Sequence, residues 1–220
     1  EYDVEITNRE KISEIEIYKL LDTGNILEMY WAGGEPLISD LHWQSLLYSI
    51  DNNYAKDITL RYSSNLSTIE YKKYQLRDLW VQFKKVELLA SVDATSDIGE
   101  WIRTGFIFDK WIDNIKTIKD IPNLELSLMT TNSLPSLIDL PNMNKLSDDL
   151  DVRINLQKCV GSNSLLQVQD YPLDVISPVI KKVRDKIIKQ DYRNSEYILH
   201  WLDENYNVDS NVDRITDKKN

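Results

Sequence analysis

Apolar runs return along this chain roughly every thirty residues, and a stretch with helical periodicity separates each from the next. The stretches read as strands are Ile26–Ala32, Asp57–Tyr62, where polar and apolar residues alternate, Val86–Val92, Leu124–Met129 and Asp151–Leu156. Between them the apolar residues change to helical spacing. Asn8 to Leu21 reads as a helix with Asn8 at its N-cap and Gly24 as its stop. A second helix begins near Ser39. In Gln75 to Lys85, the residues Leu76, Leu79, Trp80 and Phe83 share one face, and Phe108, Trp111, Ile112, Ile115 and Ile118 mark another amphipathic helix. A looser helical connection, interrupted by Pro135 and Pro141, leads to the last run. This alternation is the βαβ rhythm of a parallel sheet, and so of an α/β protein. Right-handed crossovers then put the C-terminal end of every strand on one side.

The strand bodies are mostly apolar and their exits are polar. Gly33, Gly34 and Glu35 follow the first, Ser64 and Asn65 the second, and Ser91 and Asp93 the third. Thr130 and Thr131 close the fourth, Asn155 and Gln157 the fifth. In barrels and open α/β sheets alike a ligand sits at this edge. The plain alternative is that loops are polar in any protein.

The sharpest of these exits is Tyr30-Trp31-Ala32-Gly33-Gly34-Glu35-Pro36, where a strand expected to be buried stops abruptly and feeds a helix. Two glycines let backbone groups approach a ligand with no Cβ between. Glu35 supplies an anion that can accept from an ammonium group, and Pro36 fixes one φ angle and stiffens the turn. Read plainly, the same residues are a structural turn with a solvated glutamate. Arg103 lies in the stretch Thr95–Thr104, read as a loop. Its guanidinium either clamps a carboxylate with two parallel hydrogen bonds or pairs with Glu100 at the surface.

Composition closes off several classes. Lys and Arg total 26 against 36 Asp and Glu, a net charge of -10, which disfavours bulk nucleic-acid binding. No apolar run is long enough to span a bilayer. The single cysteine, Cys159, excludes an internal disulfide, fits a reducing, cytoplasmic setting and is too few for an iron–sulfur cluster. His42 and His200, the only histidines, stand outside any metal-ligand spacing; His42 is expected on a helix surface and His200 packed. There is no nucleophile elbow, P-loop or dinucleotide fingerprint. The six tryptophans are read as core packing, and Lys84, Lys85 and Glu87 as solvated helix-end charges. After Cys159 the pattern changes: Val160–Gln169 is irregular, Val175–Ile188 and Ser195–Tyr206 are helical, and Asp209–Asn220 is charged and expected to fray. The division expected is residues 1–158, a sheet-and-helix domain, and 159–220, an irregular segment with C-terminal helices.

Taken in order, "YWAGGEPLI", "YSSNLST", "ASVDATSDIGEWIRTG" and "WIDNIKTIKDIPNLELSLMTTNS" resemble the radical S-adenosylmethionine enzymes, and more narrowly the twitch-domain type close to the SPASM group. The resemblance covers about Leu27 to Leu156 and loosely the closing helices. It implies a partial, TIM-like (β/α) barrel of parallel strands with a helical C-terminal extension. It implies that the backbone of Gly33 and Gly34 and the side chain of Glu35 hold the amino group of S-adenosylmethionine, with Pro36 in the same cofactor-binding turn, that Asn65 and Ser91 contact its ribose or methionine part, that Asp93 shapes the ribose region, and that Arg103 pairs with the methionine carboxylate. It implies a 4Fe–4S cluster, an external electron donor, and a peptide or protein substrate modified through a 5′-deoxyadenosyl radical. The family's Cys-x-x-x-Cys-x-x-Cys loop is absent, and no first barrel strand is visible ahead of Asn8. With Glu1 in place of Met, these absences read as the C-terminal part of a longer protein whose missing segment carries the cluster ligands. The alternative is a degenerate barrel without a cluster, acting as a binding or scaffold subunit.

Overall fold

The computed structural model describes residues 14–161 and 166–206. In chain order its elements are α1 (Glu14–Leu21), β1 (Glu28–Trp31), α2 (Asp40–Asp51), β2 (Thr59–Ser64), β3 (Glu70–Tyr71), β4 (Tyr74–Gln75), α3 (Leu76–Trp80), β5 (Lys85–Ser91), α4 (Ser96–Ile102), α5 (Phe108–Ile118), β6 (Leu124–Asn132), α6 (Leu134–Asp149), β7 (Arg153–Lys158), α7 (Leu173–Gln190) and α8 (Ser195–Tyr206). The main sheet runs β1-β2-β5-β6-β7, with β1 on β2 and β6 on β7 both parallel. Its strands follow one another in chain order with helices between. This is the expected α/β class: part of a (β/α) barrel of parallel strands, with a helical C-terminal part. The hairpin of β3 and β4 stands apart from the main sheet.

The chain folds into two compact units. Among the described residues, the first takes the chain up to Leu88 together with Asn114–Glu125, and the second takes Leu89–Asp113 and the chain from Leu126 on. In the first unit, Leu60 and Tyr62 of β2 and Val86 and Leu88 of β5 are buried with Trp43, Leu46, Trp80, Ile115 and Ile118. In the second, Ala90, Leu128, Ile154 and Leu156 are buried with Leu137, Leu140, Ile176, Ile180 and Leu202. Each such Leu or Ile withdraws about 1.5–3 kcal/mol worth of apolar surface from water. Every second strand residue lies on the opposite, more open face, as the strict alternation along β5 shows.

That open face explains two corrections in the first unit. Lys85 and Glu87 are strand residues, not helix-end charges. They stand in a chain of alternating sign, Glu28–Arg61–Glu87–Lys85–Glu125, with links of 3.3, 2.9, 2.8 and 2.8 Å. β1 is shorter than the apolar run promised and only half covered, with Tyr30 63% exposed, because it pairs on one side with β2 and ends the strand order.

Other departures have local causes. The predicted Gln75–Lys85 helix shrinks to α3, because Lys85 joins β5 and Tyr74-Gln75 closes a hairpin. The stretch read as a loop after Asp93 contains α4. The connection read as loose is the single 16-residue helix α6. Pro135 fits its first turn, where no backbone donor is needed, and Ser133 caps it. Pro141 sits inside, and its carbonyl accepts from Gln190 at 2.9 Å. Helix α1 is observed from Glu14; its predicted start at Asn8 lies outside the described residues, as do Ile12 and the Asp209–Asn220 tail.

The histidine expectations are reversed. His42 is fully buried, with Nε2 at 2.8 Å from the Tyr62 hydroxyl and its ring edge-on to Trp31 and Trp43. Burial lowers its pKa to about 3. His200 is exposed and pairs with Glu204 at 3.1 Å, one helical turn away. Trp43, Trp80, Trp111 and Trp201 are core residues as read, whereas Trp101 is 71% exposed.

Candidate functional site

In the first unit, the exits of β1 and β2 are tied together by one carboxylate. Gly33 takes φ +110°, a conformation that L side chains rarely adopt, and turns the chain sharply out of β1. An added Cβ at Gly34 would meet nothing within 4 Å, so the backbone there faces open space. Glu35 then caps the short 3₁₀ helix Pro36–Ile38, accepting the Leu37 N–H on Oε1 at 3.0 Å, and Pro36 occupies its start. The same oxygen accepts the Ser64 hydroxyl at 2.7 Å, while Oε2 accepts the Asn65 backbone N–H at 2.7 Å. Three donors on one anion are charge-assisted and strong.

The β2 exit is braced in turn. The Ser64 hydroxyl oxygen accepts the Leu66 N–H at 3.0 Å, and Asn65 Oδ1 accepts the Ser67 N–H at 2.8 Å. Leu66 is buried at φ +51°, an unfavourable conformation for a bulky residue. Its carbonyl is held by Asn114 Nδ2 at 2.7 Å. The turn is therefore over-determined by Glu35, Ser64 and Asn114. Neither the Ser64–Glu35 bond nor the part played by Asn114 was legible from sequence. An asparagine on an amphipathic helix gives no sign of the carbonyl it will meet.

In the second unit, Ser91 ends β5 and Asp93 follows, 7% exposed. Asp93 Oδ1 accepts the Thr131 N–H at 2.9 Å, and Oδ2 accepts Arg103 Nε at 2.7 Å. Arg103 is the C-cap of α4; its N–H donates to the Gly99 carbonyl at 3.1 Å. Glu100, the alternative partner, instead accepts the Phe108 N–H at 2.9 Å. The turn after Asp93 enters α4 at Ser96, which takes φ +46°. Asp139 of α6, 2% exposed, holds it. One of its oxygens accepts both the Thr95 N–H at 2.6 Å and the Thr95 hydroxyl at 2.9 Å, and the other accepts Asn142 Nδ2 at 2.6 Å. Gly99 lets α4 close on this turn: a Cβ there would stand 2.3 Å from the Ala94 carbonyl oxygen. Asp139 and Gly99 escaped the sequence reading because Asp139 fell in the stretch taken for a loose connection and Gly99 in the one taken for a loop. The neutral exits of the last two strands meet at Gln157, whose Nε2 donates to Thr131 Oγ1 at 2.8 Å, while Asn155 Nδ2 donates to Ser127 Oγ inside β6 at 3.1 Å.

Gly33, Gly34, Glu35, Pro36, Ser64 and Asn65 thus gather in the first unit, and Ser91, Asp93 and Arg103 in the second. The first group offers an anion beside open backbone, which suits an ammonium. The second offers a guanidinium whose Nη groups make no hydrogen bond among the described residues, which suits a carboxylate. The chain does not fit an iron–sulfur cluster: it has one cysteine, and the described residues contain no group of three or more His, Cys, Asp or Glu able to hold a metal ion.

No family model matches this sequence, and no curated protein does. Solved structures do. The fold is similar to that of Streptococcus suis SuiB bound to S-adenosylmethionine, with TM-score 0.56 and 13% identity over 84% of this chain and 44% of that one. A second crystal structure of SuiB gives 0.56 and 14% over 84% and 43%. Native anSMEcpe with bound AdoMet and Cp18Cys peptide gives 0.54 and 15% over 80% and 51%. At these identities the likeness is one of fold, and this chain spans about half the length of those proteins or less.

Proposed function

We propose that this chain is part of a radical S-adenosylmethionine enzyme of the twitch or SPASM-related type, and that it binds S-adenosylmethionine at the C-terminal ends of its strands. The observation that carries the reading is the fold it shares with two proteins solved with S-adenosylmethionine bound. Glu35, beside the open backbone of Gly33 and Gly34 and followed by Pro36, takes the ammonium. Arg103 takes the carboxylate, and Asn65 and Ser91 contact the ribose or methionine part. A cluster held by residues outside this chain would supply the electron for reductive cleavage of S-adenosylmethionine. What these residues contribute is binding and orientation before that event. A peptide or protein substrate fits best, since anSMEcpe was solved with a peptide. An external electron donor and a cytoplasmic setting complete the reading.

The test has two parts. The whole protein, reconstituted with iron and sulfide and then reduced, is expected to release 5′-deoxyadenosine. Titration with S-adenosylmethionine is expected to show weaker binding for Glu35→Ala and for Arg103→Ala. Binding without 5′-deoxyadenosine would favour the cluster-less scaffold. Binding unaffected by either substitution would overturn the assignment of the site.

A further inference from the structure

We propose that Asp93 is a positioning residue that aims the Arg103 guanidinium at a ligand carboxylate, and that it does not itself contact the ligand. The proposal rests on the reading of Arg103 given above. Both Asp93 oxygens are engaged within the protein, Oδ1 by the Thr131 N–H at 2.9 Å and Oδ2 by Arg103 Nε at 2.7 Å. With its side chain 9% exposed, Asp93 has little surface left for a ribose hydroxyl, while that of Arg103 is 31% exposed and can reach a ligand. The bond falls on Nε, at the side of the planar fork. That leaves the two Nη groups, the end-on pair of donors that meets a carboxylate with two parallel hydrogen bonds.

Both ends of the pair are anchored. Asp93 is fixed to β6 through Thr131. Arg103 is fixed by its own backbone at the end of α4, its N–H on Gly99 and its carbonyl accepting from Phe106 at 3.0 Å. The turn between them is held by Asp139. An arginine left free would sample many rotamers and lose that freedom on binding. Held at Nε, it presents one orientation. The pair also carries no net charge, so the site favours a geometry, the planar carboxylate, over negative charge as such.

The experiment compares S-adenosylmethionine with its decarboxylated analogue on the whole protein, by titration, in the wild type, Asp93→Asn and Arg103→Lys. The wild type is expected to prefer S-adenosylmethionine. Asp93→Asn should erode that preference about tenfold, the scale of a lost hydrogen bond to a charged group, while leaving the analogue's affinity unchanged. Arg103→Lys, which leaves the Asp93–Thr131 bond in place, should erode it as well. The Arg103 Nε–H proton is expected to exchange slowly in the wild type and fast in Asp93→Asn. If Asp93→Asn weakens both ligands equally, its role is structural and the proposal fails. If it keeps the wild-type preference, the positioning role falls while the reading of Arg103 stands. If the wild type shows no preference at all, that reading falls and the proposal with it.

Discussion

Asn65 donates its backbone N–H to Glu35 Oε2 at 2.7 Å, joining the exits of two strands across 30 residues of sequence. Ser64 and Leu37 donate to the other oxygen. Glu35 therefore serves the fold whether or not a ligand arrives, and the two roles can be separated. Glu35→Ala strands three donors and should cost about 1–3 kcal/mol in urea unfolding. Glu35→Gln keeps one carbonyl oxygen and should cost less. Both lose the negative charge, so both should weaken an ammonium ligand. A Gln variant that binds S-adenosylmethionine as tightly as the wild type would leave Glu35 with its structural role alone.

Two glycines make opposite predictions. At Gly34 a Cβ would meet nothing within 4 Å, and its φ lies outside the left-handed region. Gly34→Ala should therefore melt within about 1 kcal/mol of the wild type, or slightly above it through reduced freedom of the unfolded chain. If the open backbone there receives a ligand, the added methyl should nonetheless weaken S-adenosylmethionine in titration. At Gly99 the Cβ would stand 2.3 Å from the backbone oxygen of Ala94, which a side-chain rotation cannot relieve. Gly99→Ala should lose about 1–3 kcal/mol in thermal or urea unfolding, the usual range for overpacking.

Where periodicity was strong, sequence sufficed. The five sheet strands could be placed because apolar residues recur in short runs with polar ends, and a parallel sheet needs that pattern. The Gly33-Gly34-Glu35-Pro36 turn was visible because its residue types have few other uses together. The partners of Glu35 were not, since a glutamate's bonds depend on which loops come near it. His42 was misplaced because it lies between Leu41 and Trp43 on a helix whose inner face is unusually wide: Trp43, Ser45, Leu46 and Ser49 are all buried. Helical spacing alone did not give that width. Asp139 was lost for the opposite reason: two prolines hid a continuous helix, and a buried carboxylate on it could not be suspected without its donors on Thr95 and Asn142.

The charge chain on the open face of the first unit yields a prediction about salt. Glu87 sits between Arg61 and Lys85, and the Lys85 hydrogen bond, followed by the other cationic contacts, holds its carboxyl below the usual range. Its folded pKa is lowered, so the stabilisation is present above the unfolded value and is lost as pH falls through the folded one. The side chain is 32% exposed, and its neighbours more so, which keeps the contribution small. Glu87→Gln should cost about 1 kcal/mol or less at neutral pH and low salt. That difference should shrink in 1 M salt, where the screening length falls to about 3 Å. A loss that persists unchanged in high salt would mean that Glu87 acts through packing.

His42 gives the protein an acid limit that starts well above the carboxylate range. Buried and neutral, it has a folded pKa of about 3, against 6.5 when exposed. The unfolded chain therefore binds a proton below pH 6.5 that the folded chain refuses, and stability falls as pH falls. The stabilisation is fully present above pH 6.5 and shrinks by about 1.4 kcal/mol per unit between that value and the folded pKa. From pH 6.5 to 5 this removes about 2 kcal/mol. His42→Phe fills much of the same space without a titrating group. At pH 7 it should cost about 1 kcal/mol, because the Tyr62 hydroxyl loses a partner at 2.8 Å while still accepting from Trp80 at 3.2 Å. Near pH 5 the order should reverse, with the variant the more stable of the two by urea unfolding. Parallel pH profiles for the two proteins would mean that water reaches the ring in the folded state, which the full burial of His42 argues against.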